Sequence, residues 1–271
     1  MKKTLLVLAI LTILLYACKD DEIMNTPELT NTQAAQDHLF AEQTFNDVRR
    51  IVEGAFLSEG INKSYPEYTI FDADSSNSDT LKINFGPDYI IFPDPPNHAG
   101  KLRKGKIEIT YTGKYRDSLA IMTTTFDNYY VEGYLVKGEQ IITNQGRNSN
   151  GNMWFTIEVK DGIIGSINWN SEFVREWISG SSTYLDISDD QYKITGKASG
   201  NAANGDAFTM EITETLNVDL GCLPSCVIKS GKAKITSNDY AYDRMVNYGD
   251  SLCDCNFDVT INGNTYPIVV N

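Results

Sequence analysis

Apolar residues in the first part of the chain recur at steps of three and four positions, the spacing of one face of an α-helix. Charged residues fall on the other faces, and the apolar stripe contains Ala41, Phe45, Val48, Val52, Ala55 and Phe56. The pattern predicts a helix over residues 33–57, capped by Asn31 or Thr32. Because an isolated helix of this size is marginal in water, we expect the stripe to pack on the chain's own core; the alternative is a partner-binding face.

From Tyr68 onward the spacing changes to two, which is the pattern of half-buried β-strands. Segments rich in Ile, Val, Thr, Tyr and Phe are predicted as strands at residues 80–85, 106–112, 120–126, 140–144, 153–159, 163–169, 192–198, 208–213, 233–236, 257–261 and 266–270. The stretch 92–100 contains Pro93, Pro95 and Pro96 and is predicted as a loop, because proline has no N–H to donate.

Glycine-containing dipeptides between these segments are predicted as turns: Lys137-Gly138, Asn150-Gly151, Asp161-Gly162, Asn204-Gly205 and Asn262-Gly263. Connections this short require antiparallel neighbours, since parallel pairs need long crossovers. The predicted fold is therefore mainly β, an antiparallel meander with one N-terminal helix packed on it. The pattern leaves open whether the strands form a sandwich or one open curved sheet.

The chain begins with a basic segment, Lys2-Lys3, and fourteen uncharged residues that end at Cys18. This run is too short to span a membrane, which takes about 20 residues, but it suits the apolar region of a signal peptide. It resembles the lipobox of bacterial lipoproteins, in which the final cysteine becomes the lipidated first residue. An ordinary signal peptide is the alternative. We expect residues 1–17 to be removed, 18–32 to form a lipidated tether and 33–271 to form one domain.

Two further resemblances concern location. The run Lys19-Asp20-Asp21-Glu22 is similar to the surface-export signal of Bacteroidetes lipoproteins, although an acidic linker is the alternative. The body resembles a family of Bacteroidetes surface lipoproteins at residues 83–86, 103–107, 124–131, 175–177, 192–200 and 248–254. The resemblance implies a lipid anchor at Cys18 in the outer membrane, exposure at the cell surface and a helix-plus-meander fold, but no activity.

Five cysteines are present, and four of them lie in the last fifty residues: Cys222, Cys226, Cys253 and Cys255. In an exported chain an even number of cysteines predicts disulfides. A zinc site with four thiolates is the alternative, but the spacings differ from paired CxxC motifs. Three pairings are possible. Cys226 and Cys253 stand where the resembling family often has cysteines.

Charge and histidine content narrow the possible chemistry. The net charge is −13, and it becomes more negative once the signal peptide is removed, which disfavours nucleic-acid binding. His38 and His98 are the only histidines, so a Ser-His-Asp triad or a multi-histidine metal site is hard to build. We predict no metal and no cofactor, and a non-catalytic role over an enzymatic one.

Two groups of residues remain as candidate sites. Trp154, Trp169 and Trp177 could stack on a glycan. Glu172 and Glu176 could serve as the carboxylate pair of a polysaccharide-acting enzyme. The predicted function is a non-catalytic cell-envelope lipoprotein that binds or assembles with a glycan or an envelope protein; the alternative is that enzyme.

Overall fold

The computed structural model of the chain describes residues 27–57, 66–71, 79–94, 98–183, 186–223 and 226–268. The predicted signal peptide, Cys18 and most of the predicted tether lie outside these residues. Two helices begin the described chain, α1 (Pro27–Thr30) and α2 (Gln33–Leu57). Within the ranges just given, no helix is long and apolar enough to cross a membrane.

Helix α2 has the bounds predicted from its apolar stripe. At its start, the side-chain oxygen of Asn31 accepts a hydrogen bond from the backbone N–H of Gln33 at 2.9 Å. Asn31, one of the two predicted candidates, therefore caps the helix by satisfying an N–H that has no partner inside the helix.

The predicted end of the tether, at residue 32, is wrong, because α1 and the residues after it pack on the domain. Arg244 donates from Nη2 to the carbonyl oxygen of Glu28 at 2.7 Å and from Nε to the carbonyl oxygen of Asn31 at 3.3 Å. The Asn31 amide also donates to the hydroxyl of Tyr240 at 2.7 Å. The folded domain therefore includes residues 27–32.

The rest of the described chain is almost entirely extended. Its strands are β1 (Glu67–Phe71), β2 (Asp79–Asn84), β3 (Ile90–Asp94), β4 (His98–Tyr111), β5 (Ile121–Val131), β6 (Tyr134–Arg147), β7 (Met153–Ile164), β8 (Ile167–Ser179), β9 (Gln191–Asn201), β10 (Ala207–Asp219), β11 (Ile228–Thr236), β12 (Arg244–Asp250), β13 (Phe257–Ile261) and β14 (Asn264–Ile268). A short 3₁₀-helix, Leu220–Cys222, follows β10.

These strands form one open antiparallel sheet in which sequence neighbours are hydrogen-bonded. The exception is the long strand β4. Its first part pairs with β3, where Leu102 lies opposite Ile91, and its second part pairs with β2, where Ile107 lies opposite Ile83. The predicted antiparallel meander is confirmed, and the strands form one open sheet rather than a sandwich.

Two of the predicted turns are β-bulges. Lys137-Gly138 lies inside β6 and Asp161-Gly162 inside β7, and the ladder shifts register at each point. Gly138 and Asp161 have φ values of 108° and 51°, because a bulge and a tight turn both use residues that tolerate positive φ. The bulges face one another: a Cβ on Gly138 would lie 2.7 Å from the Asp161 carbonyl oxygen.

The actual β7–β8 turn falls at Gly165-Ser166, inside the segment 163–169 that was predicted as one strand. That prediction was wrong because the apolar pattern continues across the turn. The turns at Asn150-Gly151, Asn204-Gly205 and Asn262-Gly263 are confirmed.

The stretch 92–100, predicted as a loop, contains the end of β3 and the start of β4. Strand β3 pairs with β4 alone and is therefore an edge strand. Proline, which has no backbone N–H to donate, is tolerated on edge strands, and this explains Pro93. Strands β1 and β12 and most of β8 were not predicted. In β8 the inward positions include Ser171 and Arg175, which interrupt the apolar alternation.

The core lies between α2 and one face of the sheet, because residues of several strands pack on the helix. Phe45 stacks on Trp169 of β8 at a centroid distance of 5.5 Å and meets Phe126 of β5 at 6.1 Å. Phe56 packs edge-on against Tyr111 of β4 at 4.8 Å. Because strands far apart in the sheet touch the same helix, α2 is a central element of the core, as predicted.

The turns of the meander alternate between two ends of the molecule. The chain enters at the end where Phe40 meets Tyr134 at 4.9 Å and where Asp37 accepts a hydrogen bond from the N–H of Ala203 at 2.7 Å. Of the connections at the opposite end, four are called the distal loops: 112–120 (β4–β5), 180–190 (β8–β9), 220–227 (β10–β11) and 251–256 (β12–β13).

Candidate functional site

The predicted tryptophan platform does not form. Trp169 and Trp177 are only 1% and 3% exposed. The indole N–H of Trp169 donates to Nδ1 of His38 at 3.2 Å, and that of Trp177 donates to Asp190 at 3.0 Å. Trp154 is half-buried. Because two of the three rings are core residues with satisfied polar atoms, they cannot present their faces to a glycan.

The predicted carboxylate pair lies on the outer face of β8, four residues apart. Hydrogen bonds from Asn152 and Asn148, at 2.9 and 2.7 Å, hold the pKa of Glu176 below its usual range. Glu172 pairs with Lys197 at 3.1 Å. A general acid needs a raised pKa, so Glu176 is poorly placed for that role.

A shallow groove of about 980 Å³ lies on the outer face of strands β7 to β11 and contains Glu172. None of the described residues that line it is aromatic, and its floor mixes aliphatic side chains such as Ile212 with charged and polar ones: Glu158, Glu172, Thr195, Lys197, Glu211 and Lys234. Such a floor offers ionic contacts and hydrogen bonds but no stacking surface.

Five of the charged residues that line the groove form one row across five strands. Glu158 lies opposite Glu172, Glu172 opposite Lys197, Lys197 opposite Glu211, and Glu211 opposite Lys234. Directly opposed like charges destabilise a ladder, so the Glu158–Glu172 step is the unfavourable one in the row. The lysine partner of Glu172 lessens this repulsion.

The distal loops are tied to one another. Arg116 of the β4–β5 loop donates to the carbonyl oxygen of Ser181 in the β8–β9 loop at 2.7 Å. In turn, the carbonyl oxygen of Asp190 accepts from the N–H of Leu220 in the β10–β11 connection at 2.9 Å. These contacts join three loops that are separated in the sequence into one surface.

Disulfides attach the fourth distal loop. Cys222 pairs with Cys253 and Cys226 with Cys255, with Cα atoms 5.1 and 5.2 Å apart. The two cysteines that the family resemblance singled out therefore belong to different bridges. Closing a loop of about 30 residues stabilises a fold by about 3.5 kcal/mol in the chain-entropy description, so the two bridges rigidify this end of the molecule.

Exposed aliphatic side chains occupy the tips of three distal loops. Leu119, Ile187 and Leu252 are 70%, 43% and 60% exposed. The same three loops also carry carboxylates within four residues of these tips: Asp117, Asp186, Asp189, Asp250 and Asp254. Hydrogen bonds from the Ser188 side chain and N–H hold the pKa of Asp186 below its usual range, so this acid is charged at neutral pH. Exposed apolar groups with an acidic rim are typical of a binding surface.

Sequence reasoning missed this surface. Leu119 and Leu252 each end an Asp-Ser-Leu tripeptide, Asp117-Ser118-Leu119 and Asp250-Ser251-Leu252. A leucine in a turn-forming context is the signal that could have indicated an exposed apolar tip. Leu119 and Ser251 both have positive φ, 67° and 84°, a conformation that non-glycine residues adopt rarely.

His38 is not a catalytic base. Its Nδ1 accepts from the Trp169 N–H, a group that can only donate, so the imidazole proton sits on Nε2, which lies 3.7 Å from Glu42. Burial lowers the pKa of His38 to about 3. His98 lies in β4, but its side chain is outside the described part. Within the described residues no cluster of His, Cys, Asp or Glu could hold a metal ion.

Replacing Glu42 by Gln is expected to stabilise the domain at alkaline pH. Burial raises the pKa of Glu42 from 4.5 to about 7, and the titratable groups that face it among the described residues are His38 and Tyr248. The unfolded chain releases this proton first, so wild-type stability falls between these two pH values, by up to about 3 kcal/mol. Denaturant unfolding across this range should show the fall in the wild type and a smaller one in Glu42→Gln. If the unfolding free energy fell equally with pH in both proteins, this prediction would be contradicted.

No family model, no curated protein and no solved structure matches the chain. The chain's own residues are therefore what indicates its function.

Proposed function

We propose that the protein is a non-catalytic cell-envelope lipoprotein, anchored in the outer membrane through lipid on Cys18 and exposed at the cell surface. Its role is to bind an envelope protein through the distal loops. The observation that carries the proposal is the rigid loop surface at the end opposite the chain's entry, with Leu119, Ile187 and Leu252 at its tips. A tether at the entry end would present this surface away from the membrane.

The chemistry of the distal surface indicates the kind of partner. Three aliphatic tips supply apolar area, and the five carboxylates of the same loops supply negative charge. A protein surface with apolar pockets and a basic rim would complement both features. The aromatic residues expected to stack on a glycan are not at this surface, because Trp169 and Trp177 are buried. An envelope protein is therefore favoured over a glycan as the ligand.

A polysaccharide-acting enzyme remains the second candidate, and one observation favours it. Glu158 and Glu172 lie opposite one another in the outer groove, and opposed side chains of a ladder approach the separation that retaining glycosidases use, about 5 Å. Both, however, pair with lysines, Lys160 and Lys197, on an exposed surface. If the protein hydrolyses an envelope polysaccharide and Glu172→Gln abolishes this hydrolysis, the protein is a polysaccharide-acting enzyme.

The proposal is tested in two arms, of which the first concerns the anchor. The full-length protein and its Cys18→Ala variant are expressed in a bacterium that processes lipoproteins, and membranes are washed at alkaline pH. The wild type should remain in the membrane fraction and the variant should be released or remain unprocessed. Retention of a processed variant in washed membranes would disprove lipid anchoring at Cys18.

The second arm concerns the partner. Purified protein is used to capture proteins from an envelope extract, and the double variant Leu119→Asp/Leu252→Asp should lose the captured protein. Each buried leucine contributes about 1.5–3 kcal/mol, so the affinity should fall by about tenfold or more per residue. Ile91→Asp, at an exposed apolar position outside the distal loops, is the matched control and should bind as the wild type does.

Capture that weakens as salt increases would support the acidic rim as part of the interface. Capture that is equal for the double variant and the control would contradict the distal loops as the binding surface. Binding of a purified glycan in place of any protein would contradict the choice of partner.

A further inference from the structure

An exposed apolar patch lies on the outer face of strands β3 to β6, at the end of the molecule where the chain enters. Ile91 of β3 and Leu102 of β4 lie opposite one another in the ladder and are 68% and 41% exposed. Between Leu102 and Lys104, Arg103 is fully buried and faces the core. Because successive side chains of a strand point to opposite faces, Leu102 and Lys104 lie on the outer face.

Lys104 connects these residues to β5 and β6. Its Nζ lies 4.6 Å from the ring centroid of Tyr89, which directly precedes β3 and is 42% exposed, and 4.6 Å from that of Tyr130. Tyr130 is opposite Lys104 in the ladder, and Leu135 of β6 is opposite Tyr130. These contacts and ladder positions define one continuous surface, called the entry patch: Tyr89, Ile91, Leu102, Lys104, Tyr130 and Leu135.

The entry patch lies beside the β5–β6 turn. The N–H of Glu132 in this turn donates to the carbonyl oxygen of Leu102 at 2.9 Å, and Tyr134, at the start of β6, packs on Phe40 of α2 at 4.9 Å. Phe40 is seven residues after Gln33, the first residue of α2, which is a rise of about 10 Å along the helix axis. The patch and the first residues of the domain are therefore at the same end.

The chain before the domain is short. Cys18, the predicted site of lipid attachment, is nine residues before Pro27, the first residue of α1. A segment of this length spans at most about 30 Å when fully extended. A lipid on Cys18 would therefore hold the entry end of the domain within about 30 Å of the bilayer surface.

The side chains at the entry end suit the boundary between water and lipid. Tyrosine has an apolar ring and a polar hydroxyl, and lysine has an apolar stem and a charged head, so both are favoured at this boundary. Besides the patch, Tyr134 and Tyr242 are 47% and 43% exposed at this end. The carbonyl oxygen of Tyr242 accepts a hydrogen bond from Arg244, which also binds α1. The exposed tips of the distal loops, in contrast, are aliphatic.

Charge does not select a lipid headgroup for the patch. Lys104 is its cation, and two exposed acids border it. Asp88 precedes Tyr89, and Glu132 accepts a hydrogen bond from the N–H of Leu102 at 2.6 Å. Contact with a bilayer would therefore depend on apolar burial, and headgroups without net charge would suffice.

We propose that the entry patch rests on the bilayer that holds the lipid on Cys18, with Ile91 and Leu102 at the headgroup boundary. The inference rests on the lipid anchor proposed above. A patch of this size would bind a bilayer weakly by itself, but a short tether raises the effective concentration of the bilayer to about the millimolar range. The contact would fix the orientation of the domain, with the distal loops at the far end.

The test introduces a tryptophan into the patch of the processed lipoprotein, reconstituted in phosphatidylcholine vesicles. Brominated acyl chains quench tryptophan fluorescence on contact, and the wild type gives the background from its own tryptophans. Ile91→Trp is compared with Leu119→Trp, because Ile91 and Leu119 are 68% and 70% exposed. A side chain at the headgroup boundary inserts by about 5–10 Å, so the emission added by Ile91→Trp should fall about twofold or more, whereas that added by Leu119→Trp should not change.

Flotation of the vesicles separates this inference from the anchor on which it rests. Adding Leu102→Asp to Ile91→Trp should restore the emission while the protein still floats with the vesicles. A protein that floats but is quenched equally at positions 91 and 119 has the anchor without the contact, which overturns this inference alone. A wild type that does not float overturns both the anchor and the inference.

The same variant distinguishes a bilayer from a second copy of the chain. If Ile91→Trp is not quenched by bromine, but its emission shifts to shorter wavelength as the protein density in the vesicles rises, the patch binds another copy. That result would overturn the proposal.

Discussion

Replacing Asp47 by Asn is expected to lower the free energy of unfolding by about 3–5 kcal/mol, the cost of leaving a buried charge without its partner. Asp47 of α2 binds the guanidinium of Arg103 in two places, at 2.7 and 3.0 Å. Arg103 is fully buried, and its Nη1 also donates to the hydroxyl of Tyr129 at 2.7 Å. The amide of the variant carries no charge, so Arg103 would remain in the core with a neutral partner.

The same ion pair gives the variant a distinct pH dependence. Burial acts to raise the pKa of Asp47, but Arg103, with help from Lys101 and Arg50, holds it below its usual range. The pair therefore stabilises the fold above the unfolded-state pKa, and this contribution is lost as the pH falls through the folded-state pKa. Denaturant unfolding should show that the wild type loses stability at acidic pH and that Asp47→Asn loses less.

A matched control is available on the sheet surface. Asp127 pairs with Lys106 at 3.1 Å, and both side chains are about half-exposed. Asp127→Asn should therefore change the unfolding free energy by only about 0–1 kcal/mol. Equal small losses in Asp47→Asn and Asp127→Asn would show that the Asp47–Arg103 pair does not support the core.

Replacing Phe45 by Ala should destabilise the whole domain by about 3–5 kcal/mol, the range for a buried aromatic side chain. The ring is in contact with Trp169 and Phe126, and a Cβ on Gly162 would lie 3.1 Å from its Cε2 atom. Removing it would leave a cavity between α2 and two distant strands. A single cooperative transition at a lower denaturant midpoint is the expected observation.

Phe71→Ala is the control for this substitution, because Phe71 is 52% exposed on β1. Its loss should change stability by no more than about 0.5 kcal/mol. If Phe45→Ala were equally mild, α2 would not be part of the core, and its stripe would again be a candidate partner-binding face.

The elements predicted correctly are those whose local signals agree. The stripe of α2 and its Asn31 cap point to the same bounds, and strands such as β2 and β13 alternate cleanly between buried and less buried residues. Errors arose where one signal has two structural outcomes. Asp161-Gly162 fits a turn and a bulge equally well, and only pairing with β6 distinguishes them.

The candidate sites were harder to predict because they depend on contacts between distant residues. Asp47 and Arg103 are 56 positions apart, and nothing in the local sequence links them. Trp169 and Trp177 were predicted to lie at the surface, because the sequence does not show that His38 and Asp190 are their hydrogen-bond partners. The distal surface likewise exists only after Arg116, Ser181 and the disulfides have brought separate loops together.

The meander topology has a consequence for the order in which the chain can fold. Each hairpin pairs neighbours in the sequence, so the sheet can grow strand by strand with little loop-closure entropy. The start of the helix, in contrast, is held by Arg244, 213 positions after Asn31. A chain delivered from its N-terminus would thus form most hairpins before the start of the helix is secured, and a truncation before β12 would leave that helix end undocked.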